Sequence, residues 1–165
     1  METTNKGFEL LFPFFAESEQ IAYQTPHKLI SQSNDDSCVA ACVQMILSDF
    51  DIYESQSYLA SALETRRGAF LSKVPSVLRE FEITVFQWQK NLTLTALLNS
   101  LESNSAIVSL QRKNTKFGHS VIADAIIDNI IGLRDPLPMG QGKSYAVALE
   151  TFVEVWLKSG IIYVK

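Results

Sequence analysis

Two cysteines and two histidines carry most of the nucleophilic and proton-transferring capacity this chain has near neutral pH. Cys38 follows Asn34-Asp-Asp-Ser37, a run of N-cap side chains, and precedes Val39, Cys42, Val43, Ile46 and Phe50 at helical spacing. A helix is therefore expected to begin at or just before Cys38. That position offers a thiol free backbone N–H groups and the positive end of the helix dipole, and both favour the thiolate, the form that attacks. Cys42 lies on the apolar stripe of the same helix and reads as a buried structural residue.

A thiolate needs a base beside it, and the base needs a third group to fix its tautomer. His27 sits in a loop beside Pro26 with no evident partner, whereas His119 follows Gly118 and opens an alternating run through Val121, Ala123 and Ala125. His119 is the better candidate. The carboxylates nearest to it are Asp124, Asp128 and Asp135. On a regular strand Asp124 faces away from His119 and Asp128 falls in the turn, while Asp135 ends the next strand just before Pro136. In a hairpin of these strands, His119 and Asp135 share a face only when paired residue numbers sum to an even value. That favours a three-residue turn, Ile126 to Asp128, over a two-residue Asp128-Asn129 turn, or else a bulge. Gln32, six positions before Cys38, offers an amide donor that would form an oxyanion hole with the backbone N–H of Cys38; Asn34 is a competing amide, better placed to cap the helix.

The elements that must position these groups follow from periodicity. Helices are expected at the Cys38 run, over about 54–64 with Gly68 closing it, over 72–80 with Pro75 near its start, and over 92–101. Strands are expected over 83–89, 106–111, 118–125, 129–134 and 161–164, with a short helix over 149–157. Helices first and strands afterwards make an α+β protein. Phe86, Trp88 and Trp156 read as core aromatics.

The 165 residues, 47% of them hydrophobic, suffice for one core. Residues 1–30 are expected to be an N-terminal arm, whose Phe8, Leu10, Phe12, Phe14 and Phe15 pack on the body or on a partner; residues 31–165 form the domain. A net charge of −4 and the lack of a basic face argue against nucleic acid, and Arg66-Arg67 and Arg112-Lys113 read as solvated pairs without a role. No run approaches the roughly 20 apolar residues of a membrane span, so no membrane insertion is expected. The Cys38/Cys42 spacing disfavours a disulfide, which fits a reducing compartment. Zinc held by Cys38, Cys42, His27 and His119 is remote, because Cys-x3-Cys matches none of the usual knuckles.

In the order Gln32, Cys38, His119, Asp135, these residues resemble the papain-like superfamily of cysteine peptidases and, within it, the C39 branch of bacteriocin-processing peptidases. The resemblance runs from Gln32 through Asp36-Ser-Cys-Val-Ala-Ala-Cys42, Gly118-His-Ser-Val-Ile122 and Arg134-Asp-Pro136 to Phe152 and Trp156. It implies a papain-like fold, with an N-terminal helical half carrying the Cys38 helix packed on a C-terminal antiparallel sheet. It further implies Cys38 as nucleophile, His119 as base, Asp135 as its orienting group, Gln32 in the oxyanion hole, a peptide or protein substrate, and neither metal nor organic cofactor. Val39 departs from the branch, which usually carries glycine there; a narrower acyl site or a different substrate is the expected consequence. The role implied is a processing protease in the cytoplasm, or an effector or toxin delivered to a target cell and matched by an inhibitory or immunity protein. An acyltransferase or glutamine deamidase would use the same residues, and a non-catalytic binding module ranks below both.

Overall fold

The computed structural model describes residues 6–65 and 70–164. Arg66, Arg67 and Gly68 lie outside the described residues, and with them the helix stop expected at Gly68. A single turn of helix, α1 (Lys6–Glu9), opens the described chain. The helices of the first half then follow as α2 (Cys38–Asp49), which begins at Cys38 as expected, and α3 (Gln56–Ala62) and α4 (Val74–Arg79), both shorter at their ends than the apolar spacing suggests. Ser55 caps α3 by accepting from the Tyr58 N–H, and Pro75 sits in the first turn of α4, where its missing N–H costs nothing.

Six strands and two helices complete the chain: β1 (Phe86–Lys90), α5 (Leu94–Leu101), β2 (Ala106–Gln111), β3 (Gly118–Ile127), β4 (Ile130–Asp135), β5 (Lys143–Ala148), α6 (Leu149–Val155) and β6 (Trp156–Tyr163). They pair antiparallel throughout in the order β1-β6-β2-β3-β4-β5. β5 was not anticipated, although Tyr145 and Val147 alternate after Gly142. β6 begins at Trp156 rather than at Ile161, because the chain passes directly from α6 into the strand with Lys158 at φ 57° and a register shift opposite Val108–Leu110. Gly160 permits this pairing: a Cβ there would lie 2.6 Å from the Ile107 carbonyl oxygen.

The β3–β4 hairpin closes with a two-residue turn, Asp128 and Asn129, both at positive φ. The three-residue turn is not formed. The bulge is: Ala125 pairs with Gly132, Ala123 pairs with Leu133, and Asp124 is the extra residue between them. Toward the open end of the hairpin the paired numbers therefore sum to an even value, and His119 and Asp135 fall on one face.

The sheet separates two cores. Against one face pack α2, α3 and α4, through Val43, Ile46, Leu47, Leu59, Val74 and Leu78 onto Ile107, Ile122 and Ile161. On the other, Phe14, Phe15, Leu97, Phe152 and Trp156 cover Val108, Val121, Leu133 and Tyr145. Phe86 is also buried, but Trp88 is not: it lies on the edge strand β1, 37% exposed. The arm packs on the body through Leu10, Phe14 and Phe15 and leaves Phe8, Leu11 and Phe12 exposed. Across the sheet, the fully buried Arg134 ties α2 to β3, holding both Asp49 oxygens, the carboxylate of Asp124 and the Lys28 carbonyl. Among the described residues no helix is long and apolar enough to cross a membrane.

Candidate active site

Cys38 is the first residue of α2, and no side chain caps that end. Asn34 does not cap the helix as expected. Its side chain accepts from the Asp36 N–H (2.9 Å), and its carbonyl accepts from the Ser37 hydroxyl and the Gln32 amide, so it closes the loop before the helix instead. The first helical N–H groups are thereby left for the thiol, which is partly exposed. Burial works to raise the Cys38 pKa, but a hydrogen bond from His119, the charge of His119, and backbone N–H groups of Ser120 and Val39 outweigh it and lower it below the usual thiol value. The Val39 side chain is buried in the core under α2 and so does not narrow the acyl site.

His119 is nearly fully buried near the start of β3, and its Nε2 lies 2.6 Å from Asp135 Oδ1. With Nε2 engaged there, Nδ1 is left for the thiol. Burial opposes the imidazolium; the Asp135 charge and hydrogen bond, then the Cys38 hydrogen bond and charge, overcome it and raise the pKa from 6.5 to about 10. The thiol and the imidazole are thus displaced in opposite senses, toward a thiolate–imidazolium pair.

Asp135, itself fully buried, is held by four donors or partners. Oδ1 takes His119 and the Leu137 N–H (2.9 Å); Oδ2 takes the Tyr145 hydroxyl (2.6 Å) and the Phe14 N–H (2.8 Å). Burial and the carboxylate push the Tyr145 phenol well above its usual range, so it stays a donor. Neither Tyr145 nor Phe14 was singled out as a site residue in the sequence. Alternation in β5 could have marked Tyr145; nothing local marks Phe14.

The structure brings Cys38, His119 and Asp135 together and leaves the competing candidates elsewhere. Asp124 accepts from Arg134, Ser105 and Thr25, and Asp128 is in the turn. His27 lies 3.7 Å from Asp49 on an exposed loop. Cys42 is buried with its thiol pKa pushed well up, first by burial, and both cysteines are free thiols. Gln32 is buried between the Cys38 loop and the end of β4: its N–H donates to the Pro136 carbonyl (3.1 Å), its carbonyl accepts from Gly140 (3.2 Å), and its amide nitrogen donates to the Asn34 carbonyl (2.9 Å). One amide hydrogen is then uncommitted, and Oε1 has no hydrogen-bond partner among the described residues.

The model of the peptidase C39 family matches residues 26–165. The chain belongs to the peptidase C39 family. It is a cysteine peptidase of the α+β, papain-like type, with its helices concentrated in the N-terminal half. Among solved structures, this C39 peptidase is similar to the peptidase domain of Streptococcus ComA, a bifunctional ABC transporter involved in quorum sensing. The identity is 17% and the TM-score 0.68, over 84% of this chain and 99% of that one. It is similar to a double glycine motif protease from an AMS/PCAT transporter, solved with the leader peptide, at 14% identity and TM-score 0.65 over 87% and 96% of the two chains. A C39-like peptidase from Bacillus anthracis superposes at 15% identity and TM-score 0.67 over 85% and 95%. At such identities the likeness speaks for the fold. No curated protein matches the sequence significantly.

Proposed function

We propose that this C39 peptidase hydrolyses peptide bonds with Cys38 as nucleophile, His119 as proton carrier and Asp135 as the group that orients and stabilises the imidazolium. The observation that carries this reading is the buried His119 Nε2–Asp135 Oδ1 contact of 2.6 Å behind the Cys38 thiol at the start of α2, with the thiol pKa lowered and the imidazole raised. The thiolate attacks the scissile carbonyl carbon, and the imidazolium proton passes to the leaving amine as the C–N bond breaks, leaving a thioester on Cys38. Water, deprotonated by the now neutral His119, attacks the thioester; the acid product departs and the thiolate–imidazolium pair returns. The Cys38 N–H and the uncommitted amide hydrogen of Gln32 serve as donors to the tetrahedral oxyanion.

A peptide is the substrate class, and peptides with a double-glycine junction are the first to try, since one structural neighbour is a double glycine motif protease solved with its leader peptide. The test has two parts. Mass analysis after iodoacetamide at pH 6 should show one label on the native protein, lost in Cys38→Ala and retained in Cys42→Ala. Incubation with a peptide library, amines and glutamine-containing proteins should then yield backbone cleavage that Cys38→Ala abolishes. Intact backbones with added amine mass or a deamidation shift would replace hydrolysis by acyl transfer or deamidation, and a Cys38 no more reactive than free cysteine would end the enzymatic proposal.

A further inference from the structure

The family match begins at residue 26, yet residues before it reach the site. The Phe14 N–H donates to Asp135 Oδ2 at 2.8 Å, and the Phe14 ring stacks on the His119 imidazole, with centroids 5.9 Å apart and planes 12° apart. Phe117 stacks on the same imidazole at 5.8 Å and 13°. The two phenyl rings are 6.4 Å from each other, so the three rings form one aromatic cluster around the base.

Arg112 fastens this segment. Its guanidinium donates to the Phe14 carbonyl (3.2 Å) and to Glu19 Oε1 (2.7 Å), and it lies 5.1 and 5.6 Å from the centroids of Phe14 and Phe15. Glu19 in turn accepts from the Ala16 N–H (2.8 Å), so one carboxylate oxygen joins Arg112 to the arm's backbone. A second fastening lies upstream, where the Leu10 carbonyl accepts from the Met139 N–H (2.9 Å). Arg112, read from the sequence as a solvated charge, is therefore the clasp of the arm.

We infer that the arm from Leu10 to Glu19 is a built-in strap that completes the catalytic geometry: Phe14 is a positioning residue whose N–H anchors Asp135 and whose ring keeps water from the His119–Asp135 hydrogen bond. The inference rests on the proposed role of that pair. Without the Phe14 N–H, Oδ2 retains only Tyr145, and the buried carboxylate loses one of the donors that fix its plane. Without the ring, water gains access to the proton between Nε2 and Oδ1, and an aligned, dry acid–base pair becomes a mobile, solvated one.

The full-length protein tests this with two readouts that do not require a known substrate. The first is the far-downfield N–H resonance of His119, assigned by its loss in His119→Ala, together with its exchange with water. The second is the rate of Cys38 alkylation by iodoacetamide at pH 6. Phe14→Leu keeps the N–H and removes the ring; it should broaden the resonance by faster water exchange while slowing alkylation only a few-fold. Phe14→Pro also removes the N–H and should slow alkylation by roughly tenfold or more, the scale expected for one lost hydrogen bond to a charged group. Arg112→Gln, which loosens the clasp without touching the arm, should move both readouts in the same direction, and Arg112→Lys should restore them in part. The thermal midpoint is recorded for each variant, and Arg112→Gln is decisive if Phe14→Pro does not fold. Folded variants with wild-type exchange and wild-type alkylation overturn the strap. They leave the peptidase reading standing, because that reading is decided by the reactivity of Cys38 and by the product masses, neither of which depends on the arm.

Discussion

A thiol below its usual pKa beside an imidazole at about 10 defines a pH window as well as a site. As pH falls through the lowered Cys38 value the thiolate is protonated, so both alkylation and hydrolysis should lose rate on the acid side. As pH rises through about 10 the imidazolium loses its proton, the thiolate persists, and only the step that needs a proton for the leaving amine should suffer. Hydrolysis is thus expected to follow a bell with an alkaline limb near pH 10, while iodoacetamide alkylation continues on a plateau; parallel alkaline limbs would contradict this assignment. Asp135→Asn removes the largest influence raising the His119 pKa. Cleavage should fall by roughly a hundredfold or more, and the acid limb of alkylation should move upward as the thiol returns toward its ordinary value, measured as alkylation rate against pH.

Hairpin β3–β4 shows how an element delivers two residues to one place. Alternation placed His119 on a strand, and the Asp135-Pro136 boundary placed the aspartate at the end of the next, so the partners were legible from local pattern. The bulge was not resolved from the sequence, because Asp124 and its neighbours have the composition of an ordinary strand; only the requirement for an even register pointed to a bulge or a longer turn. Long-range fastening was invisible for a different reason: Arg112 finds Phe14 and Glu19 nearly a hundred positions away, and a lone Arg-Lys pair carries no mark of that. Asp124 also serves as a counter-ion for Arg134, which has no exposed surface. Asp124→Asn should therefore lower stability by about 3 kcal/mol, read from the urea midpoint at unchanged m-value, since it leaves a buried guanidinium with Asp49 as its one charged partner.

At the scale of the molecule, a six-stranded sheet divides α2, α3 and α4 from the arm, α5 and α6, and the two cysteines sense different parts of it. Cys38 meets solvent at the site, whereas Cys42 lies fully inside the helical core. Thiol titration should count one fast group in the native protein and two in denaturant, and the slow group should react at a rate that tracks unfolding. The order of the sheet has one more consequence. β6, the last strand in sequence, lies between β1 and β2, and the arm that opens the described chain rests against β3, β4 and β5 through Phe14, Phe15 and Tyr145. During synthesis, Cys38 and its helix leave the ribosome with neither His119 nor Asp135 yet made, and the sheet cannot close until Tyr163 has emerged. The nascent chain is therefore expected to be proteolytically silent until Tyr163 has emerged and the sheet has closed.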